Sequence, residues 1–339
     1  MQESGTTLAA RSPWRTPVPS QSLALMICLA LSGCALFGRS TPVHTRIFVS
    51  NYKDDTVSVI DGEDSREIKV LPVPNSPYGL AVRSTKPLVA VANSAGSTIT
   101  LVDPIRLEVL RTIEVGKIPL HAVFSVDGKL LFVALPIERQ IAVVDVDTAG
   151  VVDRIDIETN GKPKRVAVSP DGRRLYVLVH ARQGAVVVLD IATRSVIATI
   201  PVGAFPTDFG MSRDGRRIVA ASFDDSTITV IDTESLTSLA TYPVENGFGL
   251  VVHPTKPIVY SMASFDDAVH VVNYETGAPI TDLDGRWPTY SAISSDGRVL
   301  WIVNEDGNNV VKLDTETNQA IARVGVGSEP QNAVLLEFP

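Results

Sequence analysis

From residue 46 to its end the chain is punctuated by short apolar runs rich in Val, Ile, Leu and Ala, separated by Gly, Pro, Asp and Ser. Such runs are too short for amphipathic helices. Their β-branched content between turn residues predicts strands. One run recurs seven times with a polar end: Val59-Ile60-Asp61, Leu101-Val102-Asp103, Val143-Val144-Asp145, Val188-Leu189-Asp190, Val230-Ile231-Asp232, Val271-Val272-Asn273 and Lys312-Leu313-Asp314. Successive intervals are 42, 42, 45, 42, 41 and 41 residues. A period near 42 filled with short strands predicts an all-β, seven-bladed β-propeller of four-stranded antiparallel blades.

Each unit opens on a proline and an apolar strand, as in Pro163-Lys164-Arg165-Val166-Ala167-Val168. A turn follows at Ser169-Pro170-Asp171-Gly172, where glycine suits a positive φ. Leu175–Val179, Ala185–Asp190 and Val196–Ile200 supply the other three strands. A single blade cannot cover both of its faces, so the ring must be one cooperative domain. The phase of the repeat places a second strand first, at Arg46–Ser50, and a first strand last, at Pro330–Leu336. The two ends therefore share a blade, which removes exposed sheet edges.

With these residues in view the chain resembles the YVTN-type 40-residue repeat propellers of bacterial surface and periplasmic proteins. The resemblance rests on Ser169-Pro170-Asp171-Gly172, Phe48-Val49-Ser50-Asn51 and Val230-Ile231-Asp232-Thr233, and spans residues 45–339. Departures are His253-Pro254-Thr255-Lys256 and Arg83-Ser84-Thr85-Lys86 in place of the Ser-Pro-Asp-Gly turn, and Asn273 in place of Asp. The motif specifies a fold and leaves function open. Propellers of this kind include lactonases, lyases, proteins serving quinone or haem pathways, and binders of single-stranded nucleic acid.

Both cysteines, Cys28 and Cys34, precede the repeats, so the propeller has no disulfide, thiolate ligand or thiol nucleophile. Residues 23–31 form an apolar run too short to span a bilayer as a helix. Arg11 and Arg15 precede it, and Leu31-Ser32-Gly33-Cys34 resembles the bacterial lipobox. The expectation is a signal peptide over 1–33, a lipidated Cys34 with a tether over 34–44, and the propeller over 45–339. Several acyl chains would make a durable anchor. Ala35 and Leu36 after the cysteine resemble the pattern of outer-membrane sorting, facing the periplasm or, alternatively, the cell surface. Cleavage would remove Glu3, Arg11 and Arg15 and take the net charge from −8 to −9. That charge, with aromatics at 6%, argues against nucleic acid as the main partner.

Nucleophile-elbow, Walker, zincin and dinucleotide motifs are absent from the sequence. The Asp that ends each third strand recurs too often to mark one active site and reads as a turn residue. The site is expected where blades differ. Two positions after the opening proline, facing the top of the central channel, stand Gly79, His121, Arg165, Asp208, Gly249 (where the proline is missing), Tyr290 and Asn332. These side chains predict a polar channel mouth, with Lys164, Arg165 and Arg182 as a clamp for an anion. His180 lies nearby, and Trp287 flanks Tyr290. The acidic pairs Asp54-Asp55, Asp224-Asp225 and Asp266-Asp267 read as turn residues in equivalent loops rather than calcium ligands. The preferred reading is a monomeric, non-catalytic envelope lipoprotein whose top face binds a protein partner or small anionic ligand, with no metal or cofactor. Its alternative is an enzyme or a quinone- or haem-pathway propeller, with His121 as general base, Arg165 steadying an oxyanion, and Asp208, His180 and Tyr290 beside them.

Overall fold

The computed structural model describes residues 44–339. They form seven four-stranded antiparallel sheets arranged as the blades of a propeller. Blade 1 is composite: the C-terminal strand Pro330–Phe338 lies inside His44–Asn51, Thr56–Asp61 and Arg66–Pro72. Blades 2 to 7 begin on Pro77–Arg83, His121–Phe124, Lys162–Val168, Pro206–Met211, Gly247–Val252 and Pro288–Ile293. Each proceeds outward in chain order. The closing strand is in continuous register with the opening one, from His44 against Phe338 to Val49 against Ala333. The His44 ring packs 5.7 Å from Phe338, so residue 44, expected to belong to the tether, is already strand. The signal peptide, Cys34 and the rest of the tether lie outside the described residues. Among the described residues no helix is long and apolar enough to cross a membrane.

Packing explains why no blade stands alone. Phe132, Val143 and Ile155 of blade 3 share one buried cluster with Val166, Leu175 and Val177 of blade 4. Phe48 and Val59 of blade 1 pack with Leu80, Val89 and Val102 of blade 2. Trp301, fully buried in blade 7, meets Ile47 and Val49 of blade 1 across the closure. Each sheet thus uses both neighbours to remove its faces from water.

The repeated polar residues hold the turns, as the sequence predicts. Asp103 accepts the backbone N–H groups of Ile105 and Arg106 at 2.8 and 2.9 Å. Asn273 does the same for Glu275 at 2.9 Å, which is why this replacement leaves the blade intact. In the Ser-Pro-Asp-Gly turn, Gly172 has φ of +71° and Ser169 accepts the Arg174 N–H at 2.9 Å.

Candidate functional site

The first strands surround the axis so closely that backbone meets backbone. A Cβ on Gly79 would fall 2.1 Å from the Leu120 carbonyl oxygen, and one on Gly249 only 1.9 Å from that of Thr289. Asp208, Tyr290 and Asn332, at the equivalent positions of their blades, are 0%, 2% and 3% exposed. At these positions the polar channel mouth expected from the sequence is filled by a side-chain plug. Strand proximity leaves room for packed rings and ion pairs, and little for water at these three positions.

The plug is organised by a buried charge pair. Arg165 Nε lies 2.6 Å from Asp208 Oδ1. The carboxylate also accepts the N–H groups of Phe209 and Leu250, each at 2.8 Å. Burial pushes the Asp208 carboxyl up, opposed by Arg165 and these two backbone donors. The guanidinium lies 4.9 Å from the Tyr290 ring centre, a cation–π contact shielded from water. The Tyr78 ring stands edge-on to Tyr290 at 6.3 Å, and burial raises both phenols. His121 Nδ1 accepts the Val166 N–H at 3.4 Å. Burial, seconded by the Arg165 charge, holds this imidazole well below its ordinary pKa. Asn332 donates its backbone N–H to Ser50 Oγ at 3.1 Å, while its buried Nδ2 has no protein partner.

Beside the plug, at the top of blades 4 to 6, a cavity of about 410 Å³ is lined by Lys164, His180, Phe205, Thr207, Phe223, Asp224, Phe248 and Phe265. Loops between second and third strands bring Phe223 and Phe265 together at 5.3 Å, and Phe265 meets Trp287 at 4.7 Å. Lys164 Nζ sits 5.0 Å from the Phe248 ring centre, and Phe248 in turn touches Tyr290 at 5.8 Å, linking cavity to plug. Burial lowers the Lys164 pKa to about 8. His180, packed on Phe205, has Nδ1 3.0 Å from the Pro206 carbonyl oxygen. A carbonyl only accepts, so Nδ1 carries the proton and Nε2 keeps its lone pair. Burial lowers the His180 pKa, which maintains that neutral form.

The anticipated residues therefore separate into groups. Arg165, Asp208 and Tyr290 meet in the plug, with His121 and Asn332 in its wall; Lys164 and His180 face the cavity. Arg182 belongs to neither. It is exposed and lines a separate space of about 690 Å³ with Gln183, Ala204 and Asp225, so the three-cation clamp is not assembled. In the anticipated acid–base arrangement both Asp208 oxygens and His121 Nδ1 accept backbone N–H groups. The acidic pairs tie loops: Asp54 and Asp55 accept the N–H groups of Ser328 and Ser76, Asp225 that of Ala204, and Asp267 that of Trp287. No cluster of three metal-ligating side chains occurs among the described residues.

Sequence reasoning missed Tyr78, Phe205, Phe223, Phe248 and Phe265. A signal was present in the pair Phe223-Asp224-Asp225 and Phe265-Asp266-Asp267, the same loop in neighbouring blades carrying an aromatic. Tyr78 and Phe248 each stand one place after the start of a first strand, beside the positions that drew attention.

The molecule is a seven-bladed β-propeller with an aromatic cavity on its top face. Residues 20–137 match the YNCE-like β-propeller family and residues 127–259 the cytochrome D1 haem domain. Among solved structures, hydrazine synthase of Kuenenia stuttgartiensis superposes with a TM-score of 0.73 at 20% identity, over 79% of this chain and 92% of that one. Dihydro-haem d1 dehydrogenase NirN, in complex with DHE, superposes with a TM-score of 0.66 at 17% identity, over 85% and 74%. No curated protein matches the chain. The match of residues 127–259 to the cytochrome D1 haem domain overturns the expectation of a propeller without a cofactor.

Proposed function

We propose that the top face holds a haem-type tetrapyrrole in the cavity of blades 4 to 6, making this a cofactor-handling propeller of the cell envelope. One observation carries the reading: a space walled by four phenylalanines contains an imidazole whose Nδ1 is fixed on a backbone carbonyl, leaving Nε2 as a lone pair. Protein-bound metals are ligated by imidazoles held in this way, because the second hydrogen bond sets both tautomer and ring orientation. Aromatic walls suit a flat macrocycle, and about 410 Å³ lies within the usual range for small-molecule sites. The matches to a haem domain and to a haem d1 enzyme support the choice of ligand class. Bound there, the group would supply a metal centre; the chain's own part is to enclose it, ligate it through His180 and exclude water with Phe205, Phe223, Phe248 and Phe265.

A lipid at Cys34 would keep the propeller at the outer membrane, on its periplasmic side. Cys34→Ser should then move the protein from the membrane to the soluble fraction.

The test is titration of the purified protein with haemin, followed by absorbance. A saturable spectrum of nitrogen-ligated haem is expected. His180→Ala should lose that spectrum and weaken binding by about tenfold or more, while Arg182→Ala leaves both unchanged. Equal spectra and affinities for wild type and His180→Ala would remove His180 as ligand, and no saturable binding by the wild type would reject the reading.

A further inference from the structure

We infer that Lys164 is a carboxylate-binding residue, so the cavity takes a ligand that carries an acid group and orients that group inward, toward the propeller axis. This rests on the cavity reading above and adds to it the chemistry of the ligand's edge.

The argument is one of charge balance. Two cations stand side by side in the chain, Lys164 and Arg165, yet only one buried carboxylate serves them. Asp208 is taken by the Arg165 Nε at 2.6 Å and by two backbone N–H groups, so its two oxygens are occupied. Lys164 has no carboxylate within ion-pair distance among the described residues, nor a hydrogen-bond acceptor. Its ammonium is instead held over the Phe248 ring, where a cation–π contact offsets part of its lost hydration. A half-buried ammonium that faces the cavity with no anion paired to it is an incomplete pair. Completing it with a carboxylate gives a charge-assisted hydrogen bond.

The cavity also carries one group of the opposite sign. Asp224 lines it from an exposed loop, with Asp225 next to it in sequence. A ligand with an acid edge and an apolar body is repelled there and drawn to Lys164, with its flat part left against the phenylalanines. Arg165, already neutralised, serves as a positioning residue: its pair with Asp208 fixes the strand from which Lys164 projects.

The acid could belong to the tetrapyrrole itself or to a separate small carboxylate, and three probes separate these sources. Haemin has two free carboxylates, its dimethyl ester has none, and succinate is a dicarboxylate without a macrocycle. Wild type should bind haemin about tenfold or more tightly than the ester. Lys164→Met should abolish the difference by weakening haemin alone, and Lys164→Arg should restore it. If neither macrocycle binds but succinate raises the wild-type melting temperature and not that of Lys164→Met, the tetrapyrrole reading falls and the carboxylate site stands. Equal haemin and ester affinities in wild type, with no Lys164-dependent response to succinate, would overturn the inference even where both macrocycles bind.

Discussion

At the scale of single residues, the top face combines polar groups whose states are set by burial rather than by solvent. His121 shows this most clearly, because desolvation and the nearby Arg165 both oppose its protonation. Burial also lowers His180 and His253. In the unfolded chain these imidazoles take up protons near pH 6.5, while in the folded chain they resist. Below that pH the unfolded state therefore binds more protons, and stability falls as pH falls toward the folded-state pKa values. Chemical denaturation between pH 7.5 and 5 should show this loss, at up to about 1.4 kcal/mol per pH unit for each imidazole that stays neutral. His121→Gln, which can retain an acceptor for Val166, should flatten the slope. A slope unchanged by this variant would show that His121 is not a source of it. Lys164 adds to this slope only at the upper end of the window, because its folded-state titration lies near pH 8.

The scale of strands and turns is where the sequence was most readable, and also where it misled. A repeat of about 42 residues fixes blade number and phase because every unit must solve the same problem of covering two faces. The turn role of Asp103 or Asp190 follows from recurrence alone. The state of the axis does not, because it depends on how closely seven first strands converge. Nothing in one strand announces that Gly249 touches the Thr289 carbonyl, or that Asp208 is sealed from solvent. Lys164 and Arg182 look alike in sequence, yet one reaches an aromatic cavity and the other an exposed loop. Phe205, Phe223, Phe248 and Phe265 come from blades 5 and 6 and the loop leading into blade 5, and become one wall only through the curvature of the ring. The convergence itself is testable. Gly249→Ala would put a Cβ 1.9 Å from a backbone oxygen that has no rotamer by which to escape. It should destabilise the protein by about 2 kcal/mol or more, as a strained core substitution does. Gly150→Ala meets nothing within 4 Å and should be neutral or slightly stabilising. Matched urea curves of the two variants measure the contrast, and equal midpoints would refute the close approach.

For the whole molecule the decisive feature is closure. Blade 1 is built from both ends of the chain, so its inner strand is the only part of the ring held to its own blade without a turn. Leu336 is fully buried in the cluster of blades 1 and 2, and Ala333 packs with Trp301 on the other side. Removing residues 330–339 would therefore expose the edge of His44–Asn51, uncover both flanking clusters, and take away Asn332 from the plug. A solenoid whose repeats were stable in small groups would lose one unit's worth of stability and melt from that end. In a closed ring every blade needs two neighbours, and opening it leaves two faces in water at once. The full chain should melt in a single sharp transition by circular dichroism, and deletion of 330–339 should abolish it and expose apolar surface to a hydrophobic dye. A peptide of residues 330–338 added in trans should restore part of the transition, since pairing of a free strand with an open edge needs no covalent link. A truncated chain that melts as sharply and as high as the full one would mean the last strand is an accessory. The cavity of blades 4 to 6 would then owe nothing to closure, and haemin binding would survive the deletion.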